Sequence, residues 1–482
     1  MRTASEITLS VSLDRGSDEP LPAQLAAELR RLIGSSTLAP GDPLPSTRAL
    51  AAHVGLARGS VVAAYDQLLA EGYLSAAVGR STVVNPLLAR IHPGPPAAPP
   101  RPVTPIPSPT LDRRPGQPWQ ERVAGPAWKA AWRRAAAAPV DEPLPALGLP
   151  SLRSALSEHL RRMRGVVRDP GRIVVTSGGR DGLTLLLMAI GGLRPGRPLR
   201  VGVEEPGYPS LRRVPPLLGA EVVPLPADEL GMRVGELPTT ALDLVIVTPS
   251  HQYPLGGSLP IDRRQGLLSW AREHGVIVVE DDYDSELRYT SQPLPALAAL
   301  DDPDSGRVVL LGTLAKTLTP AVATGFIVLP DWLVPSVERI RRDLGQPVNL
   351  ITQRAVTHFL ESGALRLHTQ QMRNLYRRRR ALVVDALGGL DGVRVYPMDG
   401  GLHAVVETDL PETELVASLA ADGVALSGLS QYWSSEGSRT GLVFGFGGVS
   451  EAELERALAL IAEHLLVQSR WVQVPAEHGG LP

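Results

Sequence analysis

One lysine of this chain stands where a lysine can do covalent chemistry. The 482 residues include only two lysines, Lys129 and Lys316. Lys316 lies in the string LLGTLAKTLTP, directly after a run of residues that predicts a buried strand. A lysine at a strand end, beside small hydroxyl residues, suits a Schiff base with an aldehyde cofactor. An ordinary exposed lysine is the alternative that these residues leave open.

A second group of reactive side chains ends another predicted strand, in the string VIVVEDDYDSEL. Its carboxylates fall where open α/β sheets bind ligands, at the carboxyl ends of parallel strands. An aspartate that faces a pyridine nitrogen would keep this nitrogen protonated and make the ring an electron sink. A divalent metal site and simple capping of the next helix are the alternatives.

A glycine turn between a strand and a helix, in the string VTSGGRDGL, could hold a phosphate. Backbone N–H groups at the start of a helix favour an anion. A tight turn is the alternative for this motif alone. The combination carries more weight, because a phosphate turn, an aromatic turn, a carboxylate strand end and a lysine strand end follow one another in this order.

The elements that must position these motifs alternate between strand and helix. Helical segments such as Asp181–Ile190 and Arg263–His274 separate most of the strands, which predicts an α/β fold with a largely parallel sheet covered on both faces. The predicted strands are Ile173–Thr176, Leu199–Val203, Glu221–Pro224, Leu244–Thr248, Val276–Glu280, Val308–Leu311 and Phe326–Leu329. The pattern changes towards the C-terminus, where we expect a smaller α+β subdomain that starts near residue 370.

A proline-rich stretch separates this region from the N-terminus. Nine of the seventeen residues from Pro93 to Pro109 are proline, which excludes a helix or an internal strand and favours an extended path. We interpret residues 86–117 as a semi-rigid linker between two domains, residues 1–85 and residues 118–470. An irregular surface segment within one domain is the alternative.

The N-terminal unit has the pattern of three helices and a hairpin. Apolar residues recur at helical spacing in Leu21–Ile33, and Ser46 is a suitable N-cap for a short helix over Thr47–His53. A third helix follows over Ala57–Glu71, and a two-stranded hairpin over Leu74–Val84.

The second and third helices have the spacing of a helix-turn-helix. Ala51 provides a small residue at the helix crossing, Gly55 a turn, and Val61 an apolar contact between the helices. Phosphate contacts would supply affinity and register, and the third helix would enter the major groove by its N-terminal end. The residues placed for these DNA contacts are Arg48, Arg58, Ser60 and Arg80. A three-helix protein-interaction domain is the alternative from spacing alone.

Composition narrows the classes of function. The chain has 48 basic and 50 acidic residues, so DNA binding must depend on a few placed arginines rather than on bulk positive charge. The absence of cysteine removes disulfides, thiolate metal sites and thiol catalysis. We expect a cytoplasmic protein, because no secretory signal opens the sequence and no apolar run reaches the length of about 20 residues of a membrane span.

Long strings of this sequence resemble known families. LAPGDPLPSTRALAAHVGLARGSVVAAYDQLLAEGYL resembles the winged helix-turn-helix of GntR-type regulators, and SAAVGRSTVV looks like its wing. The strings VEEPGYPS, VTPSHQYPLGG, RRQGLLSWA, VVEDDYDSELRY and GTLAKTL resemble a fold type I aminotransferase, and specifically the MocR/GabR subfamily, which fuses the two domains. Gly59 departs from the family, which often has a polar residue there.

The resemblance implies pyridoxal 5′-phosphate as the cofactor and Lys316 as the residue that forms a Schiff base with it. Asp281 would pair with the pyridine nitrogen, Tyr283 would contact the phenolic oxygen, and Tyr208 would stack on the ring. The other residues that the resemblance places around the cofactor are Ser177, Gly178, Gly179, Thr313, His251, Gln252 and Tyr253.

The sequence also departs from the pattern of this family. Ala323 occupies the position of an arginine that grips the phosphate, and loss of such a contact costs about 1.5–3 kcal/mol, or one to two decades of affinity. Arg180 stands where the family commonly has glutamine, and we hypothesise that it replaces the missing charge. Ala315 replaces a serine, and a tyrosine common before Gly148–Arg153 is absent, so the substrate side looks less like that of a working transaminase.

The resemblance therefore implies a transcription regulator that binds double-stranded DNA as a homodimer. It would sense pyridoxal phosphate, or an amine or amino acid that reacts with the bound cofactor, without being an enzyme in its main role. The alternatives are a true aminotransferase with an appended DNA-binding domain, and a regulator that has lost pyridoxal phosphate binding. Arg366, Arg373 and Arg439 are candidates for gripping an effector carboxylate, or are ordinary surface arginines.

Overall fold

A computed structural model describes residues 11–76, 81–90, 111–121, 123–239, 241–289, 295–302, 304–434 and 439–472. The chain divides into two compact units, Met1–Ile106 and Pro107–Pro482. No helix within the described ranges is both long and apolar enough to cross a membrane.

The first unit is a three-helix domain with a small sheet, as the apolar spacing predicts. Its elements are α1 Leu21–Gly34, α2 Thr47–Val54, α3 Arg58–Ala70, β1 Leu74–Ser75 and β2 Val83–Val84. The two strands pair antiparallel. The Ser46 hydroxyl accepts a hydrogen bond from Ala49 N at 3.2 Å, which confirms the predicted cap of α2. Leu25, Leu50 and Leu68 are among the buried residues through which the three helices share one core.

The second unit alternates strands and helices in the predicted way. Its strands are β3 Leu111–Asp112, β4 Ile173–Thr176, β5 Arg200–Glu205, β6 Glu221–Asp228, β7 Gly231–Met232, β8 Leu244–Val247, β9 Ile277–Asp282, β10 Val308–Thr313, β11 Gly325–Val328, β12 Val393–Val395, β13 His403–Thr408, β14 Val424–Ala425, β15 Ser427–Gly428 and β16 Gly441–Gly445. Its helices are α4 Pro126–Ala137, α5 Pro150–Arg164, α6 Gly179–Leu193, α7 Pro209–Arg212, α8 Val214–Leu217, α9 Ile261–His274, α10 Leu297–Leu300, α11 Val334–Leu344, α12 Leu350–Glu361, α13 Ala364–Leu387, α14 Glu412–Ala421 and α15 Glu451–Val472.

Eight strands form the large sheet, in the order β4-β11-β10-β9-β8-β5-β6-β7. Pairing is parallel from β10 to β6, whereas β11 and β7 run antiparallel to their neighbours. The central strands are buried on both faces because helices cover the sheet, which confirms the expected α/β fold. Since β9 and β10 are adjacent and parallel, the carboxylate motif and Lys316 leave the sheet at the same edge.

A four-stranded antiparallel sheet, β12-β13-β16-β15, packs with α13, α14 and α15 as the smaller C-terminal subdomain. The start of the second unit differs from the predicted linker boundary. Leu111 is buried, and β3 pairs in parallel with β14, so residues 111–117 belong to this unit. Backbone hydrogen bonds of Leu111 and Arg113 hold this segment there, so the predicted linker extends too far at its C-terminal end. Residues 91–110 of the predicted linker lie outside the described residues.

Candidate cofactor site and nucleic-acid interface

The connection between α2 and α3 has the geometry of a helix-turn-helix. Gly55 ends α2 in the left-handed region of the backbone, with a φ of 66°. Ala51 is 5 % exposed and Val61 is fully buried, in the core that the two helices share. The residues at the start of α3 are exposed, as entry of this helix end into a major groove requires.

The DNA contacts that the sequence predicts lie at this end of the unit. Arg48 and Arg58 are exposed, and Arg58 Nε lies 3.4 Å from the Thr47 hydroxyl. Ser60 is half-buried in the first turn of α3. Arg80 falls outside the described residues. The described side chains sit at the N-terminal ends of α2 and α3, where helix dipoles add to their positive charge.

Lys316 follows the end of β10 and reaches into a cavity. Its Nζ atom donates a hydrogen bond to the carbonyl oxygen of Gly116 at 2.7 Å. Burial lowers the pKa of Lys316; the nearby carboxylates of Asp284 and Asp281 oppose this shift, and Arg180 adds to it. A lowered pKa increases the fraction of neutral amine, which is the form that attacks an aldehyde.

Two carboxylates of the β9 motif have structural partners. Glu280 accepts hydrogen bonds from the backbone N–H groups of Leu297 and Ala298 at 3.0 and 2.9 Å, so it caps α10. Asp282 accepts a hydrogen bond from Arg164 Nε at 2.7 Å. The capping alternative therefore applies to Glu280. Across the described parts of the chain, no group of three or more His, Asp or Glu side chains could hold a metal ion.

Two further carboxylates of this motif, Asp281 and Asp284, face the cavities. The Asp284 carboxylate pairs with His251 Nδ1 at 2.9 Å. Asp281 is 6 % exposed, and its side chain accepts no hydrogen bond from any residue that the structure describes. Burial, together with the charges of Asp282 and Asp284, raises the pKa of Asp281 to about 8. An aspartate without a partner in a buried site fits a ligand that brings its own protonated nitrogen.

Aromatic side chains form the walls between these groups. The rings of Tyr208 and Tyr253 lie 5.0 Å apart at a steep angle. The Tyr283 hydroxyl donates to the His251 carbonyl oxygen at 3.0 Å and lies 2.9 Å from His251 Nδ1. The cavity at Lys316 is lined by Pro115, Gly116, Tyr208, Tyr253, Tyr283, Asp284, Lys316, Leu402 and His403. A second cavity, which contains Asp281 and Glu204, shares Tyr208 with the first, so a flat ring beside Tyr208 could reach both Asp281 and Lys316.

The predicted phosphate turn lies at the start of α6. Gly178 precedes the helix with a φ of 127°, a conformation that favours glycine, and Gly179 begins it. Asp181 accepts hydrogen bonds from Ser177 N at 2.9 Å and from Arg341 Nη2 at 2.8 Å. The arginine offsets the carboxylate that lies closest to the turn, which keeps this helix end suited to an anion.

Two further residues border this turn. Arg180 is exposed, and its Nε atom donates to the Ser210 hydroxyl at 2.7 Å. It makes no ion pair with a described carboxylate. Thr313 accepts a hydrogen bond from Ala315 N at 3.2 Å, at the end of β10. Ala323, in contrast, is exposed and has a φ of 41°. Arg180 is therefore the cation that the sequence places in the phosphate turn, and its partner there is a neutral hydroxyl.

The candidates for gripping an effector carboxylate do not line the cavity at Lys316. Arg439 bonds to the Tyr396 hydroxyl and lies 3.4 Å from Glu229. Arg373 Nε donates to the carbonyl oxygen of Glu286 at 2.5 Å. Arg366 lines a separate pocket beside α5 and α12. Gln252 does not line this cavity either. Its side chain is fully buried, and its amide nitrogen donates hydrogen bonds to backbone carbonyl oxygens.

Four residues of the cavity lining are not among the sequence predictions: Pro115, Gly116, Leu402 and His403. Gly116 lies in residues 86–117, which the sequence predicts as a linker. His403 faces the cavity from β13, and its Nε2 atom lies 2.9 Å from the Pro254 carbonyl oxygen. Burial lowers the pKa of His403 to about 3, and the neighbouring His251 adds to this shift, so His403 is neutral. A histidine inside an apolar strand was the available signal for it, and no sequence signal pointed to Gly116.

Comparison with known proteins agrees with this arrangement. Residues 118–461 match the family model of aminotransferase class I and II, and residues 21–84 match that of bacterial regulatory proteins of the gntR family. The chain is 46% identical over 455 residues to the HTH-type pyridoxine biosynthesis transcriptional regulator PdxR of Corynebacterium glutamicum, covering 94% of this chain and 98% of that protein. It is 32% identical over 473 residues to the probable rhizopine catabolism regulatory protein MocR of Rhizobium meliloti, covering 92% and 94%.

Solved aminotransferase structures resemble about three quarters of this chain. The multiple substrate aminotransferase from Thermococcus profundus superposes with a TM-score of 0.68 at 23% identity, and the match covers 75% of this chain and 92% of that chain. The α-aminoadipate aminotransferase LysN from Thermus thermophilus, complexed with N-(5′-phosphopyridoxyl)-L-leucine, superposes with a TM-score of 0.67 at 22% identity, covering 75% and 93%. At this identity the likeness establishes the fold.

Proposed function

Since this chain belongs to the MocR-type GntR regulators, which join a DNA-binding domain to an aminotransferase-like domain, we propose that it holds pyridoxal phosphate at Lys316 and controls DNA binding by this means. The observation that carries the proposal is a half-buried lysine amine in one cavity and Asp281 in a second cavity, with Tyr208 lining both. Pyridoxal phosphate requires both residues, because an amine must react with its aldehyde and an acid must face its ring nitrogen. When bound, pyridoxal phosphate supplies that aldehyde and an electron-accepting ring.

The residues around the proposed position of the cofactor ring would bind the ring and orient it. Lys316 provides the nitrogen that joins the aldehyde. Asp281 would hold a proton at the ring nitrogen, because its carboxyl is buried and no described residue forms a hydrogen bond with it. Tyr208 would pack against the ring face, and Tyr253 contacts Tyr208 edge-on with ring centroids 5.0 Å apart. Tyr283, whose hydroxyl is held by His251, would contact the phenolic oxygen.

The phosphate end is built from backbone donors and one cation. Ser177, Gly178 and Gly179 present the start of α6, and Thr313 adds a hydroxyl from β10. Arg180 would exchange its neutral partner, the Ser210 hydroxyl, for the phosphate. We infer that this exchange supplies the charge that Ala323 cannot.

The lining of the cavity favours the cofactor itself as the effector over an amino acid. An amino acid would need a cation for its carboxylate, and Arg366, Arg373 and Arg439 all lie elsewhere. A relative that is 46% identical is named for pyridoxine biosynthesis, which fits a regulator of cofactor supply. A homodimer, with two DNA-binding units for paired half-sites, completes the proposal.

The decisive test is an absorbance titration of the purified chain with pyridoxal 5′-phosphate, followed by a turnover assay with amino donors and a keto acid. We expect a visible absorbance band on cofactor addition, altered binding to a duplex from the region upstream of its own gene, and no sustained amino transfer. Rapid multiple turnover would instead identify an aminotransferase with an appended DNA-binding domain. Absence of the band would identify a regulator that has lost the cofactor.

A further inference from the structure

The backbone of Gly116 occupies the space next to the reactive amine. Its carbonyl oxygen is the hydrogen-bond acceptor for Lys316 Nζ at 2.7 Å. Its φ is 103°, and a Cβ atom at this position would lie 2.6 Å from Nζ. A side chain at this position would force Nζ to move, so the observed contact with Lys316 favours glycine.

Gly116 belongs to a short segment, residues 111–119, which we call the strap. Arg113 anchors one end, because its N–H donates to the Ala425 carbonyl oxygen at 2.7 Å and its carbonyl oxygen accepts from Gly445 N at 2.5 Å. Trp119 anchors the other end through a hydrogen bond from its N–H to the Tyr376 hydroxyl at 2.9 Å. The three anchoring partners, Ala425, Gly445 and Tyr376, lie in the C-terminal part of the unit, whereas Lys316 follows strand β10 of the large sheet. The strap therefore joins the lysine to the smaller subdomain.

The strap is also the first part of the second unit that the structure describes after the DNA-binding unit. Along the chain it leads directly from the proline-rich stretch to α4. Gly116 therefore lies within ten residues of Pro107, where the second unit begins.

We propose that Gly116 positions the Lys316 amine, and that the strap transmits the chemical state of this amine towards the DNA-binding unit. This rests on the proposed function, because it requires an aldehyde cofactor at Lys316. Gly116 is a positioning residue: it acts through the lysine and supplies no reacting atom.

The chemistry of Lys316 gives the contact two states. In the structure the amine has hydrogens to donate, and one of them binds the Gly116 carbonyl oxygen. When the neutral amine condenses with an aldehyde, nitrogen forms a double bond to the aldehyde carbon, and its two hydrogens leave with the aldehyde oxygen as one water molecule. The Gly116 carbonyl then loses its donor inside a half-closed cavity, where an unpaired polar group is unfavourable. The middle of the strap must move or find another donor.

Hydrogen exchange on the unaltered full-length chain tests this directly. We expect pyridoxal 5′-phosphate to change the exchange rates of the Trp119 and Gly445 amides by about fivefold or more, since local opening reports the loss of one or two weak contacts. Pyridoxine 5′-phosphate, which has an alcohol in place of the aldehyde, is the matched ligand. It should fill the site and leave these rates unchanged. Equal changes with both ligands would show that ring occupancy moves the strap, and would overturn the proposal.

A pair of glycine variants gives a second test. Gly116→Ala should reduce the rate of aldehyde attachment at Lys316 by at least tenfold, because the new methyl group takes the place of Nζ. Gly196→Ala is the control, since Gly196 has a similar φ of 93° and no atom within 4 Å of its Cβ position. It carries the same backbone strain and should attach the aldehyde at the wild-type rate. Equal rates in Gly116→Ala and wild type would refute the positioning role.

The two proposals fail in different ways. If pyridoxal 5′-phosphate produces no visible band with the wild-type chain, the proposed function is wrong. In that case no aldehyde attaches to Lys316, and no change in the strap is expected. If the band forms, and the Trp119 and Gly445 amides exchange as before, the cofactor is present and the strap proposal alone is wrong.

Discussion

The two functional surfaces of this chain hold their charged groups in opposite ways. In the aminotransferase-like unit, Asp281 and Asp284 are 6 % and 3 % exposed, and the Lys316 amine is hydrogen-bonded to backbone. In the DNA-binding unit, Arg48 and Arg58 are exposed. A buried charge is costly unless a partner satisfies it, so each group of the cofactor site should matter individually. Exposed arginines contribute small, additive amounts, and affinity for DNA comes from their sum.

The replacement Lys316→Ala should have the largest effect, because it removes the atom that bonds to the aldehyde. We expect complete loss of the visible band, and no added mass after pyridoxal 5′-phosphate and borohydride treatment. Lys129→Ala is the matched control, since Lys129 is exposed on α4 and is the other lysine of the chain. If the added mass persisted in Lys316→Ala and disappeared in Lys129→Ala, the aldehyde would be attached to Lys129, and the assignment to Lys316 would be wrong.

The replacement Asp281→Asn should act in opposite directions on binding and on stability. Loss of a charged hydrogen bond to the ring nitrogen should weaken pyridoxal 5′-phosphate binding by about one to two decades, as an absorbance titration would measure. The carboxyl without cofactor, however, destabilises the folded state once it ionises. Asparagine removes this cost while keeping the shape of the side chain.

The pH dependence of stability shows in which direction the Asp281 carboxyl changes the free energy of unfolding. The pKa of Asp281 rises from 3.8 to about 8 on folding, so the folded state keeps a proton that the unfolded state has released. Stability is therefore lost as pH rises between about 4 and 8, by up to about 1.4 kcal/mol per pH unit for one such group. Thermal unfolding without cofactor should show wild type falling below Asp281→Asn as pH increases from 5 to 8. Parallel curves for the two chains would contradict the assignment.

Substitution of Arg180 should have an effect of intermediate size, because this arginine is exposed whereas Asp281 and Asp284 are buried. Arg180→Gln should weaken pyridoxal 5′-phosphate binding by about tenfold, the low end for a charge-assisted hydrogen bond, because solvent screens it. Binding of pyridoxal, which lacks the phosphate, should not change. Arg377→Gln, an exposed arginine of α13, controls for net charge. An equal loss for both ligands would mean that Arg180 supports the ring end and not the phosphate.

The same contrast explains what the sequence could predict. Strand Ile173–Thr176 and the α2 cap at Ser46 follow from local periodicity and side-chain chemistry, and the structure has both. The hydrogen-bond partner of a side chain cannot be predicted in this way, because it depends on contacts between residues that are distant in the chain. The sequence could not tell that Glu280 caps α10 while Asp281 accepts no hydrogen bond from a described residue, or that Gly116 contacts Lys316. Glu280 and Asp281 are adjacent carboxylates with similar chemistry, yet they have different roles.

In the DNA-binding unit, Arg58→Ala should reduce DNA affinity by a smaller amount. Removal of one phosphate contact should lower affinity several-fold, and the slope of log affinity against log salt should fall by about one. Fluorescence anisotropy with a duplex from the upstream region, at several salt concentrations, measures both. Arg162→Ala, in the aminotransferase-like unit, should change neither. A loss of affinity with an unchanged salt slope would indicate that Arg58 reads a base or supports the helix, and not a phosphate.

The smallest effect should come from Gly59, which lies in the first turn of α3. Glycine disfavours a helix by about 1 kcal/mol relative to alanine, and no atom lies within 4 Å of a Cβ built at this position. Gly59→Ala should therefore stabilise α3 by about 0.5–1 kcal/mol, seen as slower hydrogen exchange of its amides. Gly72→Ala is the control, since Gly72 has a φ of 80° and should lose stability when substituted. If Gly59→Ala slowed exchange and also weakened DNA binding, close approach of the DNA backbone would be the reason for glycine here, because alanine removes no group that could contact a base.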